Sequence, residues 1–317
     1  MATSASVVVC AYSDARRPVL ERALASLRAQ TTPVAETILV IDHNEALLAR
    51  ARANHPDVTV LANEGRRGLS GARNTGVAAA RGDVVAFLDD DAVAAPDWLG
   101  ELLVAFEGVD VLGVGGAVTP VWPSGHDARW LPEEFYWTVG CSYRGLPGHG
   151  SSLRNPIGAN MAFRRGALLR VGGFREELGR VAGFPAGCEE TELAIRMRQA
   201  WPSGRIVHSS RARVEHEVDG VRVRLPYFVT RCWAEGLSKA AVEDRVGRAQ
   251  ALESERRYVV RTLPVGVIRG LGEAWRGVPG GLARAGAIGL GLSVTVGGYL
   301  AGQGLRTARA AAVYAAF

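Results

Sequence analysis

The stretch VVAFLDDDA, Val84 to Ala92, decides how the rest of the sequence is interpreted. An apolar run of strand length, Val84 to Leu88, ends in three consecutive carboxylates, Asp89, Asp90 and Asp91. Adjacent negative charges repel one another, and a cation or a metal-bound phosphate placed among them relieves that repulsion. The other interpretation is a solvated acidic turn before the next helix. The two interpretations differ in what the neighbouring segments should contain.

The composition is that of a folded chain with a sizeable core, because 48% of its 317 residues are hydrophobic and 22% are charged. The formal net charge is +5, and nearly all basic residues are arginines scattered along the chain. This charge permits nucleotides or phospholipid headgroups as partners, and the lack of a dense basic tract argues against nucleic acid. The four cysteines lack zinc spacing, which indicates reduced thiols in a cytoplasmic protein. We expect no signal peptide, since the first residues lack a basic leader.

The first half of the chain alternates strand-like and helix-like segments. The strand-like segments are Ser6–Ala11, Thr37–Ile41, Val58–Ala62 and Val84–Leu88, and the helical ones are Val19–Gln30, Glu45–Asn54 and Gly71–Ala80. This alternation predicts an α/β fold with a mostly parallel sheet flanked by helices. Ligands of such sheets bind outside the carboxyl ends of the strands, where the aspartate triplet lies. The turn CAYSDARRP lacks the glycines of a dinucleotide-binding fold.

Two further segments carry candidate functional residues. Between the third and fourth strands, NEGRRGLSGARNTG contains Arg73 near a helix start, where a guanidinium can meet a nucleotide; a flexible surface loop is the alternative. Further on, GCEETELAIRMRQA places Glu189 and Glu190 before an apolar helical stripe. Acidic residues there complement the helix dipole without catalysis, which is the role expected of Glu192. A carboxylate near a metal and a phosphate can instead be a general base.

Several ordered blocks resemble a family 2 glycosyltransferase with the GT-A fold. They are VVVCAYSD, SLRAQT, ILVID, NEGRRGLSGARNTGVAAARGDVVAFLDDDA and GANMAFRRGALLRVGGF, and the resemblance runs from about Ser6 to about Val218. It implies a nucleotide-binding, mixed but mostly parallel sheet. It also implies an inverting transferase that moves one sugar from a UDP- or GDP-type donor to a hydroxyl or phosphate acceptor. The implied cofactor is Mg²⁺ or Mn²⁺.

The resemblance assigns donor-binding roles residue by residue. The nucleobase site falls on Ala11, Tyr12 and Asp42, and the donor contact of the ARN block falls on Arg73. The backbone at Gly158, Ala159 and Asn160 is implied to border the donor sugar. The metal and the donor sugar fall on the carboxylates of the acidic motif, with Asp91 as the expected direct ligand beside Asp89 and Asp90.

The resemblance also implies the catalytic base. The position of the base aligns with Glu190, where the family usually has Asp, and Glu189 remains a rival because the Glu190 side chain is one methylene longer. His216 is similar to a histidine that reaches the metal or diphosphate in some GT-A enzymes. The QxxRW motif of processive synthases is present only in part, since Arg231 and Trp233 lie in this region without a matching Gln. This favours an enzyme that transfers one sugar per encounter.

We expect a catalytic domain over residues 1–221 and a helical region over 222–317. Residues 285–305 contain no charged residue and could span a bilayer, although their many glycines make them only modestly hydrophobic. GYLAG, Gly298 to Gly302, has the form of a helix-packing motif. A membrane-embedded hairpin or span, a basic amphipathic segment on the cytoplasmic leaflet and a helical cap are the alternatives. The expected acceptor is a glycan or a polyprenyl-linked molecule, and association with the inner face of the cell membrane would suit the second.

Two other functions and one structural question stay open at this point. A nucleotidyltransferase acting on sugar phosphates would share the sheet, but it would need a pyrophosphate-binding signature that CAYSDARRP supplies poorly. A non-catalytic module that binds a nucleotide sugar or a membrane would have a decayed site. The aromatic-rich loop from Pro120 to Pro156 either lines a sugar or lipid pocket or is anchored on the sheet.

Overall fold

A computed structural model describes residues 3–177, 187–246 and 256–314. Its first half is the predicted alternation of apolar strands and amphipathic helices. The strands are β1 (Ala5–Ala11), β2 (Glu36–Ile41), β3 (Thr59–Ala62) and β4 (Val84–Asp89), and the helices are α1 (Arg17–Arg28), α2 (Glu45–Asn54) and α3 (Leu69–Ala79). These four strands pair in parallel in the order β3-β2-β1-β4, so their carboxyl ends meet at one edge of the sheet.

The second half extends the same sheet with strands of both directions. It contains β5 (Ala92–Ala94), α4 (Trp98–Val104), β6 (Val111–Val121), β7 (Asn160–Arg164), α5 (Arg165–Arg170), α6 (Glu189–Ala200) and β8 (Arg205–Glu217). The described part of the chain forms one sheet in the order β3-β2-β1-β4-β7-β6-β8-β5. Because β7 runs antiparallel to β4 and β6, the sheet is mixed but mostly parallel, as predicted.

The sequence pattern missed one strand and divided another. The segment 205–218 reads as two short strands, but it is the single strand β8, whose pairing with β6 jumps from Ser209 to Arg213. A bulge at the intervening residues interrupts the apolar alternation and so hides the continuity. The three-residue strand β5 was not predicted; it pairs antiparallel with β8 and sets Ala92 opposite His216.

Alternate residues of the buried strands face two separate clusters of apolar side chains. Val7 and Val9 of β1 pack in one cluster with Leu24 of α1, while Val8 packs in the other with Val77 of α3. This two-residue period places a helical layer on each face of the sheet. All four cysteines are free thiols, in agreement with the expected reduced state.

Three helices follow the sheet: α7 (Leu225–Val246), α8 (Leu263–Trp275) and α9 (Gly281–Tyr314). Part of the predicted helix 244–260 lies outside the described residues. A Cβ atom added at Gly298 would lie 2.3 Å from the Trp233 carbonyl oxygen, and one at Gly302 would lie 2.7 Å from the Ala240 Cβ. GYLAG is therefore confirmed as a helix-packing motif between α9 and α7.

The C-terminal helices share the core of the sheet. Phe228 of α7, Leu263 of α8 and Ile288 of α9 belong to the same apolar cluster as the residues of β1 and β6. The division between residues 221 and 222 into two domains stays a prediction.

The aromatic loop is anchored on the sheet, as expected, and also on the C-terminal helices. The Gly150 and Leu153 amides donate to the carbonyl oxygens of His208 and Ile206 in β8, both at 2.7 Å. The rings of Trp130 and Phe135 each lie 5.4 Å from that of Phe228, and Tyr143 lies 5.8 Å from Tyr258. In the short 3₁₀ segment Glu133–Val139, the buried Glu134 accepts hydrogen bonds from Arg269 of α8 at 2.9 and 3.0 Å. Loop and helices therefore close one side of the molecule together.

The Asn160 side chain joins three elements around β7. Its amide nitrogen donates to the carbonyl oxygens of Ala117 and Ala212, at 2.9 and 2.8 Å, and its oxygen accepts from the Trp98 indole at 2.8 Å. The side chain is fully buried. Because the whole residue is buried, its side chain has a structural role, and the contact expected between its backbone and the donor sugar stays a prediction.

We predict that Asn160→Leu destabilises the protein by about 2–4 kcal/mol, because a leucine leaves buried donors and acceptors without partners. Urea unfolding followed by circular dichroism measures the change. Asn155→Leu is the matched control, since the Asn155 amide has only a 3.4 Å contact with the next residue's carbonyl oxygen. Equal stability of the two variants would contradict the structural role of Asn160.

Candidate active site

The three aspartates lie at the carboxyl end of β4 and in the turn to β5. Asp90 and Asp91 are buried, with 3% and 7% of their surface exposed. Arg16, at the end of the turn after β1, donates to Asp90 Oδ1 at 2.9 Å and also contacts Asp91 Oδ2. Arg16 was not predicted as a site residue. The arginine pair in CAYSDARRP could have indicated it, because this turn follows β1, the strand adjacent to β4.

His216 lies beside the acidic motif because β8 pairs with β5. Its Nε2 atom lies 3.2 Å from Asp91 Oδ1. One ligand atom each from Asp89, Asp91 and His216 can be chosen so that all lie within 4.8 Å of one another. Two carboxylates and an imidazole are a donor set that suits Mn²⁺ or Mg²⁺. Asp90 Oδ2, in the same motif, is buried and has no hydrogen-bond partner among the described residues.

Charge and burial shift the pKa values of the two buried aspartates in opposite directions. The pKa of Asp90 is raised to about 8, mainly by burial and also by the neighbouring charges of Asp91 and Asp89, although Arg16 opposes the shift. Burial acts in the same direction on Asp91, but His216 and Arg16 more than offset it and hold the pKa of Asp91 well below its usual range. Asp91 is therefore a carboxylate at neutral pH, as a metal ligand must be.

Arg73 connects the acidic motif with the glutamate pair. Its guanidinium is almost fully buried and lies 3.5 Å from Asp89, 3.3 Å from Glu189 and 3.0 Å from Glu190. The ring of Phe174 stacks on it at 5.3 Å. Although burial lowers the pKa of Arg73, the surrounding carboxylates raise it above its ordinary value, so the group stays charged.

The glutamates at the start of α6 differ in their access to solvent. The Glu190 side chain is 16% exposed and that of Glu189 is 4% exposed, although both contact Arg73. Gly158 packs directly on Glu190 and Arg73: a Cβ atom at this glycine would lie 2.2 Å from Glu190 Oε1 and 2.4 Å from Arg73 Nη2. The close approach requires glycine at position 158.

The residues predicted for the nucleobase meet at the ends of β1 and β2. The Asp42 amide donates to the Ala11 carbonyl oxygen at 2.8 Å, and the neighbouring Tyr12 ring is exposed. The Asp42 carboxylate accepts from the Asn63 side chain at 2.6 Å and the Gly68 amide at 3.0 Å, which ties the glycine-rich loop to the sheet. The structure thus brings all three predicted residues to one edge, with Asp42 also holding the loop.

One large cavity, of 1260 Å³, connects these groups. Its lining includes Arg73, Asp89, Glu190, His216 and Gly158. From there it continues past the aromatic loop to α7, the turn 258–262 and α9. Two of the candidate metal ligands, Asp89 and His216, and both candidate bases therefore open into the same space.

Sequence comparison defines the class of this protein. The sequence model of the family "Glycosyl transferase family 2" matches residues 6–172, which is more than half of the chain. The chain belongs to this family, and it is a glycosyltransferase with the GT-A fold.

Two curated relatives extend the similarity into the C-terminal half. The glucosyl-dolichyl phosphate glucuronosyltransferase of Haloferax volcanii is 36% identical over 242 residues, which is 75% of this chain and 77% of the relative. The succinoglycan biosynthesis protein ExoM of Rhizobium meliloti is 30% identical over 241 residues, 72% of this chain and 71% of the relative.

Solved structures support the fold. The mannosyltransferase PcManGT from Pyrobaculum calidifontis, in complex with GDP-Man and Mn²⁺, superposes with a TM-score of 0.57 at 19% identity. That match covers 96% of this chain and 87% of the other. GalNAc-T7 with UDP, GalNAc and Mn²⁺ has a TM-score of 0.52 at 18% identity and covers 81% of this chain and 54% of the other.

We predict that Gly158→Ala lowers kcat for sugar transfer at least about tenfold, because the new methyl group displaces both Glu190 and Arg73. Both contacts are with the ends of flexible side chains, so the melting temperature should change little. Gly166→Ala is the matched control, since no atom lies within 4 Å of a Cβ atom added there. Unchanged kcat in Gly158→Ala would show that the Glu190–Arg73 geometry does not matter for the reaction.

Proposed function

We propose that the protein transfers one sugar from a UDP- or GDP-type sugar to a hydroxyl of a lipid-linked acceptor, with inversion and with a divalent metal. The observation that carries this proposal is the contact of Arg73 with Asp89 on one side and with Glu189 and Glu190 on the other. This cation holds the metal-binding motif and the candidate base side by side. A direct displacement needs that proximity.

Asp91, with Asp89 and His216, would hold Mg²⁺ or Mn²⁺. When bound, the ion neutralises the negative charge that develops on the departing nucleoside diphosphate. The Mn²⁺ in both neighbouring structures supports a metal of this kind. Arg16 contacts Asp90 and Asp91 and adds positive charge at the same place. Asp90 then supports Arg16 and the donor sugar, and Asp91 is the principal ligand.

Glu190 is the better candidate for the base that deprotonates the acceptor hydroxyl. Both glutamates line the cavity, but the Glu190 side chain is 16% exposed and that of Glu189 only 4%. The hydrogen bond from Arg73 Nη1, at 3.0 Å, orients the Glu190 carboxylate. Glu189 then serves mainly to neutralise Arg73, although it remains the rival base.

The donor would lie along the sheet edge. Ala11, Tyr12 and Asp42 would bind the nucleobase, and the backbone at Gly158 and Asn160 would border the sugar, as the resemblance implies. The exposed Tyr12 ring offers a surface on which a base can stack. This arrangement directs the anomeric carbon towards the cavity, where an acceptor hydroxyl can approach Glu190.

Three observations favour a lipid-linked acceptor. By its name, the Haloferax relative acts on a dolichyl phosphate carrier. The cavity reaches the C-terminal helices, and the helix Gly281–Gly304 is long and apolar enough, by length and composition, to cross a membrane. A nucleotidyltransferase or a non-catalytic module would explain neither the glutamate pair nor the family membership.

The C-terminal helices offer a surface for membrane contact. On α8, Val265, Ile268, Leu271 and Trp275 repeat every three or four residues and are all exposed, Trp275 by 93%. An exposed apolar helix face of this kind is typical of helices that lie in the membrane interface. Because α9 packs along α7, we propose that the helices lie on the inner face of the cell membrane and do not cross it.

We predict that Asp91→Asn and Glu190→Gln each lower metal-dependent sugar transfer by about 10²-fold or more, since each removes a charge used in the transition state. A panel of nucleotide sugars with Mg²⁺ or Mn²⁺ identifies the donor first. Asp91→Asn should also weaken donor binding in the presence of metal, whereas Glu190→Gln should preserve it. Asp97→Asn, at an exposed carboxylate on the same side of the sheet, is the control. Full activity in both site variants would refute the assignment.

We predict that Trp275→Ser with Ile268→Ser lowers binding to vesicles containing anionic lipid at least about tenfold, because both exposed apolar side chains are lost from the interface. Vesicle co-sedimentation of the full chain measures the effect. Val109→Ser is the control, since Val109 is 93% exposed but lies between α4 and β6. An equal loss in the control, or no loss in the double variant, would argue against this surface.

A further inference from the structure

The cavity contains a second charged group that the proposed chemistry does not use. Arg231, Glu235 and Lys239 are spaced by four residues on α7, and all three line the cavity. Arg231 Nη1 lies 2.9 Å from Glu235 Oε2, and Lys239 Nζ lies 3.2 Å from Glu235 Oε1. One carboxylate between two cations leaves a net positive charge facing the cavity.

Arg231 is unusually placed for an ion pair that only stabilises a helix. The residue is 8% exposed, its guanidinium lies 5.3 Å from the Trp137 ring, and its Nε has no hydrogen-bond partner among the described residues. Burial lowers the pKa of Arg231, but Glu235 raises it above its ordinary value, so the side chain remains a cation. A buried charged donor without a partner is costly, and a bound anion would satisfy it.

This group adjoins the start of the helix that carries the candidate base. A Cβ atom added at Gly187 would lie 3.0 Å from Arg231 Nη2, and the Cys188 thiol lies 3.6 Å from Glu235 Oε1. Gly187 is two residues before Glu189. An anion held by Arg231 would therefore lie in the same cavity as the base.

The cavity also has an apolar part of its lining. It includes Val259, Leu263 and Leu292, which belong to the turn 258–262, α8 and α9 and lie beside the polar side chains of Arg261, Thr262 and Thr295. These are the elements that carry the exposed apolar surface. A cationic group and an apolar lining in one cavity match an anionic headgroup joined to a hydrocarbon chain.

We propose that Arg231 and Lys239 bind the phosphate of the acceptor, a phosphoryl group attached to an isoprenoid chain, while Glu235 holds the two cations in place. The inference rests on the proposed transfer to a lipid-linked acceptor and deepens it. Arg231 is a binding residue in this account, since it contacts the substrate's phosphate and not the reacting atoms.

Lys239 makes the test direct because it is the sequence's only lysine. We would acetylate the full-length protein in detergent micelles with an amine-reactive reagent and follow the Lys239 peptide by mass spectrometry. Farnesyl phosphate should slow acetylation at least about tenfold at saturation. Three other compounds should protect Lys239 much less. Farnesol lacks the phosphate, inorganic phosphate lacks the hydrocarbon chain, and the free nucleoside diphosphate should bind at the acidic motif instead.

Variants then assign the anion site. Arg231→Gln should raise the Kd of farnesyl phosphate at least about tenfold, a loss expected for a charged hydrogen bond. Lys239→Met is a second test of the same site. It keeps the inference testable if Arg231→Gln does not fold, because Lys239 is less buried. Arg211→Gln, an exposed arginine on β8 outside the cavity, is the matched control and should leave binding unchanged.

The outcomes separate this inference from the proposed function. Metal-dependent hydrolysis of the donor without lipid, measured on the same samples, should be unchanged in Arg231→Gln and Lys239→Met. Protection by inorganic phosphate or farnesol equal to that by farnesyl phosphate would overturn the inference, as would unchanged farnesyl phosphate binding in both variants. If donor hydrolysis persists while either result is found, the inference alone fails.

Discussion

The architecture of the site depends on one buried cation, the Arg73 guanidinium. Because α3 follows directly on the glycine-rich loop, this side chain enters the sheet edge between the end of β4 and the start of α6. Three carboxylates converge on it from segments about a hundred residues apart. Without the cation, these charges would repel one another in a buried setting, so Arg73 allows the metal motif and the base to be neighbours.

The second constraint is that the C-terminal helices close the cavity. Since they share their core with the sheet, their position is fixed by the same packing that positions the acidic motif. The aromatic loop mediates this contact through Phe135 and Tyr143. The sheet edge proposed for the donor and the helices proposed for the acceptor therefore border one space.

Much of this could be predicted from the sequence, because local patterns determine it. Alternating apolar strands and helices gave the parallel half of the sheet, and ordered motifs gave Asp89, Asp91, Glu190 and His216. The missed features depend on contacts between distant residues. Strand β5 is too short to have a pattern, and Arg16 and Arg231 acquire their roles only from the residues that the fold places beside them.

The measurement that tests this account most directly is the anomalous diffraction of crystals grown with Mn²⁺ and the nucleoside diphosphate of the identified donor. The account predicts a manganese peak between Asp91 and the diphosphate, within bonding distance of Asp91 and of Asp89 or His216. It also predicts that Glu190 remains hydrogen-bonded to Arg73 and faces the open cavity. A diphosphate bound at the sheet edge without manganese at Asp91, or manganese bound at another set of carboxylates, would contradict it.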